Sequence, residues 1–362
     1  MASTESVSHD DLVVCAGGDR EYKARDAIDA AFFRGDLAST WEAFVHRAES
    51  QRHAEERDMD LDEDAFDGAA EAFRYQHDLI TAEETEQWLA ARGVTLDDFS
   101  DYFARQCWAA AATGKIDGAE TDYLSAPREL RDLFACELIL SGELEQMTTQ
   151  LSRRLAAWKA EKDIDPDSIA TEKKNFFERN EIQPKQLNDW LKRLGRDAEW
   201  FEELVAMEVA YRARSAALLL PQAYQRELAT LRLPLTRFET EVLELESRDA
   251  AQEALFCVRE DNMSMEEVAT EGRYPYRRDE FVLEDVAEEM QQKLLSVSAG
   301  QVLEPLPRGD GFELCRVIKK AEPRVDDPAV QARVEHRLLH RYFSDLTGKY
   351  VEHRLGLSAA SE

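Results

Sequence analysis

His336 and His340 stand one helical turn apart in a helix-forming stretch, a spacing that could present two imidazole nitrogens to one zinc ion. Glu335 adjoins them, but the order is not His-Glu-x-x-His and no third ligand follows at helical spacing. Arg333, Arg337 and Arg341 alternate with the histidines, so the pattern reads as a solvated, ion-paired helix face. The acidic run Asp58 to Asp67 offers oxygen donors, yet it lacks the central glycine and closing glutamate of a calcium loop. Its counterpart Asp163-Ile164-Asp165-Pro166-Asp167 suggests a plainer role in both places, carboxylates capping a helix N-terminus. Five cysteines (Cys15, Cys107, Cys136, Cys257, Cys315) are scattered, form no C-x-x-C pair and read as buried thiols. Gly17-Gly18 is not followed by the Lys-Ser/Thr of a phosphate loop, and no Ser-His-Asp or Cys-His grouping assembles. No metal and no cofactor are expected.

The elements that would position a site are mostly helices. From Arg25 onward the chain is rich in Ala, Glu, Leu and Arg and poor in glycine. Ser39-x-x-Glu42, Thr81-x-x-Glu84 and Ser264-x-x-Glu267 each fit a capping box that starts a helix. The helical part repeats: Trp88-Leu89, Gly93 and Phe99 recur at constant spacing as Trp190-Leu191, Gly195 and Phe201. Gly35-Asp36-Leu37 echoes Gly142-Glu143-Leu144, and Asp62-x-Asp64 with Phe73 echoes Asp165-x-Asp167 with Phe176. Order and spacing agree as well as composition, which predicts a duplicated helical domain with a unit of roughly 100 residues. All six tryptophans fall in it. Trp88 and Trp190 read as core; Trp41 and Trp108 lack matched partners and could line a groove between the repeats, although core packing is the default for both.

After Pro234 the pattern changes. Phe238 to Glu246 alternates apolar and polar residues as a half-buried strand does. Helical stretches follow at 247–259, 264–270 and 285–295, then a strand pair at 301–306 and 311–318. The order β-α-α-α-β-β predicts a small α+β domain. A last helix opens at Asp327-Pro328, with an apolar stripe at Val330, Val334, Leu338, Tyr342, Leu346 and Tyr350.

At 362 residues with 44% hydrophobic content the chain has room for two or three cores. Its formal charge of -30 argues against a nucleic-acid backbone as partner and permits attraction to basic peptides. No apolar run approaches the roughly 20 residues that span a bilayer, so no membrane partner is expected. Met1 to Asp11 lacks the basic-then-apolar order of a signal peptide, and a cytoplasmic location is the default.

The segment Leu294-Leu295 … Gly300-Gln301-Val302-Leu303-Glu304-Pro305, then Gly311-Phe312-Glu313-Leu314-Cys315-Arg316-Val317, resembles the closing half of a parvulin-type prolyl isomerase domain. With helices before it and a helix after it, the chain resembles the PrsA/SurA class of parvulin chaperones. The residue pattern gives 1–20 as a flexible N-terminus and 21–127 and 128–233 as helical repeats; the resemblance implies 234–323 as a parvulin-like domain and 324–362 as a helix returning to the helical region. The fold expected is therefore mainly α with a small α+β domain.

The parvulin site uses two histidines, one in the first strand and one in the last. Here those positions fall at Glu241 and Glu313, and the segment 270–276 lacks the usual double-glycine loop. Two carboxylates are acceptors only and cannot mimic two imidazoles, so isomerase activity of the usual kind is not expected. What the resemblance leaves is peptide binding, on a shelf of Tyr274, Tyr276, Phe281, Met290 and Phe312, with Trp41 and Trp108 in the helical part. Packing within the small domain's core is the better account of Phe281 and Met290. The partner expected is an unfolded or precursor peptide, held for a peptide-modifying enzyme during maturation of a ribosomally made peptide. Two alternatives remain: an isomerase with a site rearranged around Cys257, Glu313 and Tyr274, and a non-enzymatic assembly factor for a folded partner.

Overall fold

A computed structural model describes residues 8–112, 122–161 and 163–354. The chain groups into two compact units, one of residues 1–215 with 341–362 and one of residues 216–340. The fold is mainly α with a small α+β portion, as the residue pattern predicts.

The first unit opens with a 3₁₀ turn, His9–Asp11, and a hairpin of β1 (Val13–Gly17) and β2 (Arg20–Lys23). Residues 8–20, expected to be flexible, are thus ordered; the rest of that expectation lies outside the described residues. Two sets of five helices follow. The first is α1 (Ala24–Arg34), α2 (Ala38–Glu56), α3 (Glu63–Gln76), α4 (Ala82–Ala90) and α5 (Leu96–Ala111). The second is α6 (Arg128–Ser141), α7 (Glu143–Ala160), α8 (Pro166–Arg179), α9 (Leu187–Leu194) and α10 (Ala198–Leu218). Gly35 and Gly142 end α1 and α6 in the left-handed conformation (φ 82° and 77°), which a Cβ would strain. Phe73 meets Trp88 and Phe99 edge-on at 5.4 and 5.3 Å, and Phe176 meets Trp190 and Phe201 edge-on at 5.1 and 5.0 Å.

The leading helix of each set also packs onto the other set. Phe33 of α1 stacks on Phe176 at 4.9 Å and meets Phe201 edge-on at 5.9 Å. Asp29, fully buried, accepts from Arg196 at 2.7 Å. In return Phe134 of α6 packs on Trp41 and Phe44 of α2, both ring pairs at 5.0 Å. Glu137 of α6 pairs with Arg47 of α2 and with Arg105 of α5, the latter 1% exposed. Burying an arginine costs several kcal/mol unless a carboxylate meets it, which Glu137 does.

Two local expectations are corrected. Ser39 does not cap a helix: α2 begins at Ala38 with Leu37 at its N-cap, so Ser39 and Glu42 lie inside it. Thr81–Glu84 and Ser264–Glu267 do form capping boxes, and Asp62 and Asp165 cap α3 and α8. Trp41 is 5% exposed inside the aromatic cluster, so it does not line a groove; Trp108 is half-buried on α5.

The second unit contains α11 (Pro221–Thr230), β3 (Arg237–Leu245), α12 (Arg248–Arg259), α13 (Met265–Gly272), β4 (Tyr276–Val282), α14 (Glu288–Ser296), β5 (Leu306–Arg308) and β6 (Gly311–Ala321). The sheet is antiparallel in the order β4-β3-β6-β5. β4 falls in a stretch to which the residue pattern assigns no element, because its centre, Arg277-Arg278-Asp279-Glu280, lacks the apolar alternation that marks a strand. The strand expected over 301–306 shrinks to an isolated bridge, Val302 to Arg316, and the short β5. Gly311 admits the close approach of β3: a Cβ there would lie 2.7 Å from the Leu245 carbonyl oxygen.

Helix α15 (Pro328–Tyr350) contributes residues to both units, and β7 (Glu352–His353) pairs with β1. Within the second unit Val330, Val334 and Leu338 pack on Leu228, Leu231 and Leu235. Phe343, not Tyr342, continues the buried face. Steps of four residues overrun the 3.6-residue turn, so a stripe drawn that way rotates out of the core.

Candidate functional site

The central pair of strands sets the geometry of the small sheet. Glu241 stands opposite Arg316, whereas Glu313 stands opposite Glu244, with no irregularity between these pairs. Side chains alternate along a strand, so Glu241 and Glu313 project from opposite faces of the sheet. The expectation that these two positions belong to one site is therefore not met, since their side chains share no pocket.

On one face, Glu241 is 7% exposed. It accepts from the Tyr276 hydroxyl at 2.8 Å and from Arg278 at 3.1 Å, and lies 3.7 Å from Arg316. An arginine on each neighbouring strand thus neutralises it. Leu243, Leu245 and Leu314 continue this face and pack beneath α12 and α13 with Ala251, Leu255 and Met265.

On the other face, Glu313 accepts from Arg277 at 2.6 Å and also from Arg308. Burial works against the Arg277 charge, but Glu313 and Asp279 outweigh it and hold its pKa above the ordinary guanidinium value. Phe238, Val242, Cys315 and Val317 carry this face beneath Leu294 of α14. Burial pushes the Cys315 thiol up to about 11, with Glu313 adding to the shift, so it stays protonated and is a poor nucleophile.

The aromatic shelf divides in the same way. Tyr274, Tyr276 and Phe312 pack against the cluster under α12 and α13. Phe281 and Met290 pack against the cluster on the opposite face, where Phe281 stacks on Phe238 at 6.0 Å. These five residues do not form one surface. The rearranged site fails similarly, since Cys257 and Tyr274 pack with the first cluster while Glu313 lies on the other face. Residues missed in the sequence are Arg277, Arg278 and Arg316, which close both carboxylates. Their signal was present: the basic pair Arg277-Arg278 forms cross-strand ion pairs with Glu244 and Glu241 once a strand is drawn through it.

His336 and His340 stack at 5.8 Å on an exposed face of α15, and Arg333 and Arg337 pair with Glu284 and Asp285. Among the described residues, His9, Asp98 and Cys136 place one donor atom each within 4.8 Å of the others. The Asp98 oxygen facing His9 already accepts from the Thr95 N–H and hydroxyl, at 2.9 and 2.6 Å. His9 also reaches Asp132 at 3.2 Å. Asp132 accepts from the Ser8 hydroxyl and from the Asp10 N–H as well, tying residues 8–10 to α6.

No family model and no curated protein matches this chain. Solved structures it resembles include the peptidylprolyl isomerase PrsA of Bacillus cereus, with 11% identity, 62% of this chain and 89% of that one covered, and a TM-score of 0.33. PrsA of Bacillus anthracis gives 12% identity, 56% and 94% coverage and a TM-score of 0.28. A SurA-like chaperone structure from Campylobacter jejuni gives 9% identity, 59% and 87% coverage and a TM-score of 0.20. The functional reading rests on the side chains instead.

Proposed function

We propose that this chain holds unfolded or precursor peptides without isomerising their prolyl bonds. One observation carries the reading: the two positions that a parvulin site would bring together stand on opposite faces of the sheet, each closed by arginines. A twisting prolyl bond would find no joined pair of polar groups there. The sheet still ends on β4, seven residues with no further strand beyond it among the described residues. An extended peptide can pair with such an edge through main-chain groups alone, which makes binding tolerant of sequence. The formal charge of -30 adds attraction for basic segments.

In this reading the peptide is handed to a modifying enzyme during maturation, in the cytoplasm; the five cysteines, which stand as free thiols, suit a reducing compartment. Fluorescence anisotropy with labelled, reduced and carboxymethylated α-lactalbumin tests it. Saturable binding of this unfolded chain, with none of the native protein, is expected. Binding only to native, folded proteins would replace the reading with an assembly factor.

A further inference from the structure

The two five-helix sets share the Phe, Trp and Phe at the centre of their aromatic clusters, Phe73, Trp88 and Phe99 in one and Phe176, Trp190 and Phe201 in the other, and they differ beside it. In the second set, Phe177 follows Phe176 and its ring lies over Phe201 at 6.4 Å with 29° between planes. One turn earlier, Lys173 of α8 closes onto Glu202 of α10 at 2.6 Å. The gap between α8 and α10 is filled by the chain's own aromatic ring and ion pair.

In the first set the matched positions hold other chemistry. Arg74 stands where Phe177 stands, Ala70 where Lys173 stands, and Ser100 where Glu202 stands. What results is an open groove of about 490 Å³ among α3, α4 and α5. Phe66 and Phe99 line it, Leu96 is 51% exposed beside them, and the exposed carboxylates Asp67, Glu71 and Glu86 lie along it. Arg74 lines the groove with its Nε buried and without a hydrogen-bond partner. A buried N–H with no acceptor is destabilising, and an acceptor brought by a ligand would relieve it.

We propose that this groove takes one aromatic side chain of a bound peptide against Phe99, with a neighbouring lysine or arginine of that peptide paired to Asp67, Glu71 or Glu86. The peptide supplies from outside what Phe177 and Lys173 supply internally in the second set, and a peptide carbonyl accepts from the Arg74 Nε–H. The inference rests on the peptide-holding reading and gives it a location and a chemical preference: basic segments bearing an aromatic residue.

The test uses the full chain and a labelled peptide, Gly-Ser-Lys-Phe-Lys-Ser-Gly, followed by anisotropy. Saturable binding is expected, weakened at least tenfold when the peptide phenylalanine becomes alanine. R74F fills the groove as Phe177 does in the other set and should weaken binding at least tenfold. Should R74F misfold by circular dichroism, E71K/E86K decides, since both residues are exposed; it should lose this peptide and prefer Gly-Ser-Glu-Phe-Glu-Ser-Gly. Unchanged affinity in the folded variants overturns the groove. So does failure of the wild type to bind the peptide while it still binds carboxymethylated α-lactalbumin, which leaves the general reading standing. Failure to bind either probe overturns both.

Discussion

Restoring histidine at both positions, in E241H/E313H, leaves the chain unable to catalyse prolyl isomerisation, because the two imidazoles would project from opposite faces of the sheet. The cost to stability follows from what each carboxylate holds. Glu313 loses Arg277 and Arg308, whose side chains are 33% and 58% exposed, so solvent screens both pairs and about 1 kcal/mol is expected. Glu241 is 7% exposed and loses the Tyr276 hydroxyl and Arg278, for about 1–2 kcal/mol more. The double variant should therefore unfold at lower urea by about 2–3 kcal/mol in all, because the two carboxylates share no partner and their costs add. A protease-coupled assay on a proline tetrapeptide reads the activity. Wild type, both single variants and the double variant should all match the uncatalysed rate, which is set by tens of seconds. An acceleration of tenfold or more by the double variant alone would show that the imidazoles meet, and would refute the register argument.

Three further outcomes follow from the helical unit. F33A should cost about 3–4 kcal/mol in urea denaturation, because a ring 1% exposed leaves a cavity against Phe176 and Phe201. If α1 packed only within its own set, F33A/F176A would be additive; contact predicts that the second substitution costs clearly less than it does alone. E137A strands Arg105 without its carboxylate and should cost about 3–5 kcal/mol, whereas R105M/E137L should recover most of that loss. Burial pushes the Asp10 carboxyl up to about 6, with Asp29 and Asp132 adding repulsion. Its folded pKa is raised, so the stability it contributes is present below about pH 4 and is lost as pH rises to about 6. D10N should flatten that part of the stability profile.

The sequence exposed what depends on neighbouring residues and hid what depends on distant ones. Thr81–Glu84, Ser264–Glu267, Asp62 and Asp165 announce helix starts because a cap closes within three residues. Matched Phe, Trp and Gly positions announce two sets of helices. Nothing in those patterns tells which set a helix joins: Phe33 and Phe134 are apolar on a helical face in either arrangement, and only the fold shows that each packs across. β4 was hidden because its centre is charged, with Arg277 and Arg278 set against Glu244 and Glu241, and its apolar contacts, Tyr276 and Phe281, stand only near its ends. The pairing of Glu241 with Glu313 as one site failed for a similar reason. Each position matches a strand motif by itself, but register decides the face, and register is a property of two strands together.

Two-dimensional exchange NMR on a proline-containing peptide, in the presence of substoichiometric full-length chain, tests the central claim most directly, since binding and cis–trans exchange are read from the same spectrum. Peptide resonances should broaden and shift on binding, while exchange between the cis and trans signals stays at the uncatalysed rate. Exchange cross-peaks that grow in with added chain would contradict the account.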